Sequence, residues 1–123
     1  MIIGSGVDII EIARVEKAAA RPRFVERIFT EREREYWQSV HCAPQTLAGA
    51  FAAKEAVAKA FGTGIGEIAW KDIEILHTQN RRPYIELHAQ ALRLFEELRA
   101  VKIHISISHC KQYAIAQAIL EGK

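Results

Sequence analysis

Apolar and polar residues change period several times along the 123-residue chain. Ile2 to Ile10 is an apolar run interrupted by Gly4, Gly6 and Asp8, which reads as a strand. Glu11 then opens an amphipathic helix with Ile12, Val15 and Ala19 along one side, and Pro22 ends it. A short helical stretch from Arg23 to Phe29 leads into Thr30-Glu31-Arg32-Glu33, a capping-box pattern that starts a helix reaching about Ser39. Beyond a loop through His41 and Pro44, residues Leu47, Ala50, Phe51, Ala58 and Phe61 fall on one arc of a helical wheel. They form the core-facing stripe of a long helix from about Thr46 to Phe61. Glycines 62, 64 and 66 break that helix. Two strands, 72–78 and 83–88, are joined by the turn-like Gln79-Asn80-Arg81, and residues 89–100 return to helix spacing through Leu92, Phe95 and Leu98. The last two strands span about Ile103 to Ser108 and Tyr113 to Leu120. Strands and helices that do not alternate one for one predict an α+β fold with a largely antiparallel sheet packed against helices.

Composition narrows this picture only slightly. The length fits a single domain over residues 1–123, and 50% hydrophobic with 26% charged residues is the balance of a folded chain. A net charge of +2 argues against a nucleic-acid partner. Cys42 and Cys110 lie far apart with no C-x-x-C pair, so neither a disulfide framework nor a zinc site is expected. The opening MIIGSGVDII lacks the basic start of a signal peptide, and no run approaches the ~18 apolar residues of a membrane span. A cytoplasmic protein with reduced thiols is expected.

Charges in unexpected places carry the chemistry. Asp8 sits among apolar strand neighbours on the face of Gly4 and Gly6, where a carboxylate needs a partner. It could cap the following helix, join a salt bridge or ligate a cation. Lys54 falls inside the apolar arc of the long helix, with its ammonium expected to snorkel outward. Glu55 and Lys59 lie beside the arc on a strip otherwise made of Ala48 and Ala52. They are spaced either as an ordinary surface pair or as a site with room for a ligand. The Gly62-Thr63-Gly64 turn could cap the helix, cradle an anion, or do both. If Asp8 and Glu55 met, they would supply the one or two carboxylates that Mg²⁺ usually takes, with Lys59 as countercharge for phosphate. On the first helix Arg14, Lys17 and Arg21 gather opposite the apolar side, either a solvated face or a dock for an acidic protein helix. Ser106, Ser108 and His109 lack a G-x-S-x-G elbow, so a nucleophilic triad is disfavoured.

Three linked segments are similar to bacterial holo-acyl-carrier-protein synthases of the phosphopantetheinyl transferase family. They are Gly6-Val7-Asp8-Ile9 with Glu11, Phe51 to Ala56 continuing through Lys59-Ala60-Phe61 to Gly64, and Ser106 to His109 followed by Tyr113 to Ala116. That resemblance implies the family fold, with phosphopantetheine moved from coenzyme A to a serine of acyl carrier protein. It further implies Mg²⁺ on Asp8 and Glu55, coenzyme A phosphates on Lys59 and the turn of Gly62, Thr63 and Gly64, and His109 near the 3′-phosphate. Arg14 and Arg21 would receive the carrier protein, and three chains would assemble with the cofactor site between neighbours. Glu55 or a metal-held water would take the serine proton. Ala50 departs from the family, which often has a basic residue there. One phosphate contact is then either missing or supplied by Arg81, Arg82 or a residue of a neighbouring chain. The alternative is a non-catalytic oligomeric module that binds a coenzyme-A-like nucleotide or an acidic protein.

Overall fold

The computed structural model describes residues 1–123. In chain order the elements are β1 (Ile2–Glu11), α1 (Ile12–Ala19), α2 (Pro22–Ile28), α3 (Glu31–Ser39) and α4 (Pro44–Ala60). A 3₁₀ turn over Trp70–Asp72 follows, then β2 (Ile73–His77), β3 (Pro83–Leu87), α5 (Ala89–Glu97), β4 (Ala100–His109) and β5 (Tyr113–Gly122). One antiparallel sheet has the order β1-β5-β4, and β2 and β3 form a separate antiparallel pair. The expected α+β class with antiparallel pairing is observed.

α4 is the axis of the molecule. It lies against the inner face of the larger sheet, where Ala114, Ala116, Ala118 and Leu120 of β5 are buried. Small residues on both partners bring the backbones together. A Cβ on Gly6 would lie 2.1 Å from the Ala56 carbonyl oxygen, and one on Gly4 would lie 2.0 Å from that of Ala60. The alanine strip of α4 therefore makes room for β1, with Ala48, Ala52 and Ala56 all buried, and not for a bulky ligand. The helices and the 3₁₀ turn cover the other sides, so α4 is buried nearly all round where a single apolar stripe is expected.

Local chemistry explains most boundaries. α4 starts at Pro44, two residues before the expected Thr46, because proline suits the first helical turn. The capping box is formed: Thr30 N–H donates to Glu33 Oε1 at 2.7 Å, and Glu33 N–H donates to Thr30 Oγ1 at 3.2 Å. The expected helix over residues 89–100 stops at Glu97, because Arg99 turns left-handed at φ 57° and Ala100 already pairs with Gly122 in the sheet. The expected start of a strand at Asp72 is instead the end of the 3₁₀ turn.

Candidate functional site

Asp8 lies on the edge strand β1, pairs with Ala116 of β5 and projects from the half-buried face that packs on α4. It does not cap α1, whose N-cap position is Glu11 with no side-chain cap. Its carboxylate instead accepts from Lys59 Nζ at 3.2 Å, and the same ammonium donates to the Val7 carbonyl at 3.1 Å. The ordinary i,i+4 pair between Glu55 and Lys59 is absent, since Lys59 reaches Asp8. Glu55 is half-buried and makes no ion pair. Desolvation raises its pKa above the usual 4.5, the Asp8 charge raises it further, and Lys59 opposes both. Two carboxylates thus face one space with a single lysine between them. Hard oxygen donors with an unbalanced negative charge suit a small divalent cation such as Mg²⁺.

At the end of α4, Gly62 and Gly64 adopt left-handed φ values of 85° and 71°. The Gly62 N–H caps the Lys59 carbonyl at 2.9 Å and the Gly64 N–H reaches back to Ala58 at 3.2 Å. These two amides are committed to closing the helix, in the manner of a left-handed C-cap. A helix C-terminus carries partial negative charge, so an anion beside this turn depends on Lys59 and on the Thr63 hydroxyl, which would have to leave the Gly64 carbonyl it donates to at 3.2 Å.

His109 lies elsewhere in the chain. It is exposed at the end of β4 and shares a cleft with Pro44 and Gln45 at the opposite end of α4. In the sheet His109 pairs with Ala114, which pairs with Ile10, so it stands two strands across and two residues along from Asp8 and makes no contact with it. The chain therefore brings Asp8, Glu55 and Lys59 together and leaves His109 apart. Strand alternation also turns Ser106 and Ser108 to the outer face, away from the side that His109 takes, which leaves no basis for a triad. Arg82 lines a groove with Lys102 and His104 against the outer sheet face. That is the side away from Asp8, so within one chain Arg82 does not replace a basic residue at Ala50.

Arg14 and Lys17 are exposed on α1, whereas Arg21 lies just beyond it as the extended N-cap of α2. Arg21, Arg23 and Arg27 surround a groove floored by Phe24, Phe51 and Trp70. Phe51 stacks on Phe24 at 6.3 Å between ring centroids and meets Trp70 at 4.9 Å. Phe51 is one helical turn before Glu55, so this groove opens beside the carboxylate pair. The helical wheel places Phe51 with the core and passes over Phe24 and Trp70. The clustering of arginines with Phe24 is the sequence signal that points to the groove.

Lys54 does not snorkel. Its side chain is fully buried, with the ammonium 2.9 Å from Glu33 Oε1 and donating to the carbonyls of Trp70 and Ile73. Beyond it, Glu74, Glu86 and His88 hold three potential metal-ligand atoms within 4.8 Å of one another. Arg32 already pairs with both carboxylates of that group, 2.6 Å from Glu74 and 3.2 Å from Glu86.

The chain resembles known proteins over nearly its whole length. Residues 4–118 match the model of the 4′-phosphopantetheinyl transferase superfamily. The holo-[acyl-carrier-protein] synthase of Natranaerobius thermophilus is 52% identical over 122 residues, covering 98% of each chain. The crystal structure of the Bacillus anthracis synthase in complex with CoA (3′,5′-ADP) superposes with a TM-score of 0.83 at 40% identity, covering 100% of this chain and 99% of that one. The Helicobacter pylori synthase in complex with coenzyme A gives 0.83 at 32% identity over 95% and 99% of the two chains. A mixed fold built on one alanine-rich helix, a carboxylate pair flanked by lysine, and these full-length likenesses place the chain in the 4′-phosphopantetheinyl transferase superfamily.

Proposed function

We propose that this chain is a holo-[acyl-carrier-protein] synthase: it transfers the phosphopantetheine arm of coenzyme A to a serine of apo-acyl carrier protein. The observation that carries this reading is the convergence of Asp8 and Glu55, with Lys59, on one half-buried space. The serine oxygen attacks the β-phosphorus, the bond to the bridging pyrophosphate oxygen breaks, and adenosine 3′,5′-bisphosphate leaves. Such a transfer needs positioning and charge neutralisation more than a protein nucleophile. Mg²⁺ held by Asp8 and Glu55 would supply neutralisation of the pyrophosphate. Lys59 adds a second positive charge at the same place, and Thr63 offers a hydroxyl from the Gly62–Gly64 turn. Glu55, or a water held by the metal, would take the serine proton.

A second copy completes the site. The outer face of the larger sheet exposes Val7, Ile9 and Ile115 at 54%, 62% and 40%, an apolar surface that assembly would cover. Packing copies on that face into the homotrimer implied by the resemblance would let His109 of one chain serve the 3′-phosphate at its neighbour's carboxylates. Carrier protein would dock on Arg14, Arg21 and the arginine-lined aromatic groove, which delivers its serine one helical turn from Glu55. No helix is long and apolar enough to cross a membrane, and we place the reaction in the cytoplasm.

The test mixes the protein with apo-acyl carrier protein, coenzyme A and Mg²⁺ and measures the carrier by mass spectrometry. A gain of one phosphopantetheine is expected. Coenzyme A binding with no such gain would overturn the reading in favour of a non-catalytic binding module.

A further inference from the structure

A lysine ammonium buried in an alanine-rich core helix is an expensive feature, and apolar replacements of buried ion pairs are often neutral or stabilising. Lys54 therefore calls for a use beyond stability. Its three donors each find an acceptor: Glu33 Oε1, the Trp70 carbonyl and the Ile73 carbonyl. The two carbonyls bracket the 3₁₀ turn that follows the long loop after α4. Glu33 is itself fixed, since its Oε1 accepts from Thr30 N–H and its Oε2 accepts from Ile75 N–H at 2.8 Å. The ammonium is thus a fixed point for the turn that carries Trp70, and the Trp70 ring lies on Phe51 as one wall of the arginine-lined groove. Trp70 has no regular secondary structure on its N-terminal side to hold it. Ala69 is exposed and is tied only to Asp72 of the same turn, donating to its carboxylate at 3.3 Å and accepting from its N–H at 3.1 Å, while Ile68 before it is buried in the core.

We propose that Lys54 is a positioning residue for carrier docking: through the Trp70 and Ile73 carbonyls it sets the Trp70 wall against Phe51. It thereby tunes affinity for an acidic, partly apolar helix without touching that helix. The partner chemistry follows from the groove, where Arg21, Arg23 and Arg27 ring three aromatic side chains. This inference rests on the proposed transfer reaction, and its test separates the two.

Lys54→Met is paired with Glu33→Gln so that neither change leaves an unpaired buried charge. This double variant, Trp70→Ala, and the combination are compared with wild type after circular dichroism establishes that each is folded. KM for apo carrier should rise about tenfold in the Lys54 variant and in Trp70→Ala. In the Lys54 variant, kcat at saturating carrier and KM for coenzyme A should stay within about twofold of wild type. The combination should be no worse than Trp70→Ala alone, because both changes remove the same wall. Losses that multiply, or an unchanged carrier KM in the folded Lys54 variant, would overturn the proposal. If the Lys54 variant does not fold, Trp70→Ala decides: an unchanged carrier KM overturns the proposal and a raised one supports it.

The clamp also has a readout that needs no turnover. In a Trp37→Phe background Trp70 is the only tryptophan, and loss of Lys54 should shift its emission to the red as the ring leaves Phe51. Unchanged emission would overturn the clamp even if the enzyme transfers normally. Red-shifted emission in a protein that modifies no carrier would place the failure in the proposed reaction and not in the clamp.

Discussion

Lys54 and Lys59 leave α4 little more than one turn apart, and each meets acidic residues, yet the two clusters are built by opposite rules. Around Lys54 every group is matched inside the chain: Glu33 holds the ammonium, a helix cap and the β2 edge, and Glu74 accepts from Arg32, Thr30 and His88. Around Lys59 the matching stops short. One ammonium serves Asp8 and a carbonyl, and Glu55 has no ion-pair partner. Buried charge that is closed on itself fixes the position of chain segments, whereas charge left open holds free energy that a ligand can release. Both clusters look equally odd in sequence, and only the count of matched atoms separates a strut from a site.

Removing the open cluster should have the largest effect on function and little on folding. Asp8→Asn and Glu55→Gln should each lower transfer to carrier by about 10³-fold or more, while thermal stability holds or rises because the mutual repulsion of the two carboxylates is relieved. Mass spectrometry of the carrier and a thermal melt check both halves. Near-wild-type rates in either variant would remove the pair from the reaction. The closed cluster should behave in reverse. Glu33→Ala strands the Lys54 ammonium and orphans the N–H groups of Thr30 and Ile75, so urea denaturation should show a loss of about 3–5 kcal/mol. A midpoint that hardly moves would sink the idea that this cluster is structural.

Acid should also divide them. Burial favours a protonated Glu74, but hydrogen bonds from Arg32, Thr30 and His88 outweigh it and hold the carboxyl down at about 2, below the usual 4.5. Its folded pKa is depressed, so its contribution to stability is full above pH 4.5 and is lost as pH falls toward about 2. Glu55 is shifted upward, so it favours the folded state below pH 4.5 and disfavours it as pH rises through its folded value. Stability measured against pH should therefore lose its downward slope just above 4.5 in Glu55→Gln. The same variant should keep the steep acid loss that belongs to Glu74. An unchanged slope above pH 4.5 would mean that neither burial nor the Asp8 charge raises Glu55 in the folded chain.

Much of this is legible in the amino-acid sequence, and the exceptions have physical causes. Period and punctuation predict β1, α1, α3 with its capping box, and the closing pair of strands, because each is specified by local pattern. The end of α5 was not legible, since an arginine carries no signal for the left-handed turn at Arg99. Asp8, Glu55 and Lys59 stand out as charges in apolar settings. That they share one space depends on the register of β1 on α4, which Gly4 and Gly6 set through a backbone approach that no wheel displays. Lys54 is read wrongly for the same reason. Snorkelling assumes open solvent beyond the helix, and α3 with the 3₁₀ turn occupies that space.

The smallest effect should come from Lys59, and it tests how the open cluster is held. Its pair with Asp8 is half-exposed on the lysine side, at 49%, so Lys59→Met should change stability by less than about 1 kcal/mol. Methionine keeps the stem that packs near Gly6, leaving charge as the main difference. Without that charge nothing opposes the upward shift of Glu55, and protons compete for the carboxylates at higher pH. The acid limb of the rate profile should then move upward in Lys59→Met while the melting temperature barely changes. KM for coenzyme A should rise in parallel if the same ammonium meets a phosphate. An acid limb that stays in place would put Lys59 outside the field of the pair, and the 3.2 Å contact with Asp8 would then be only a surface ion pair.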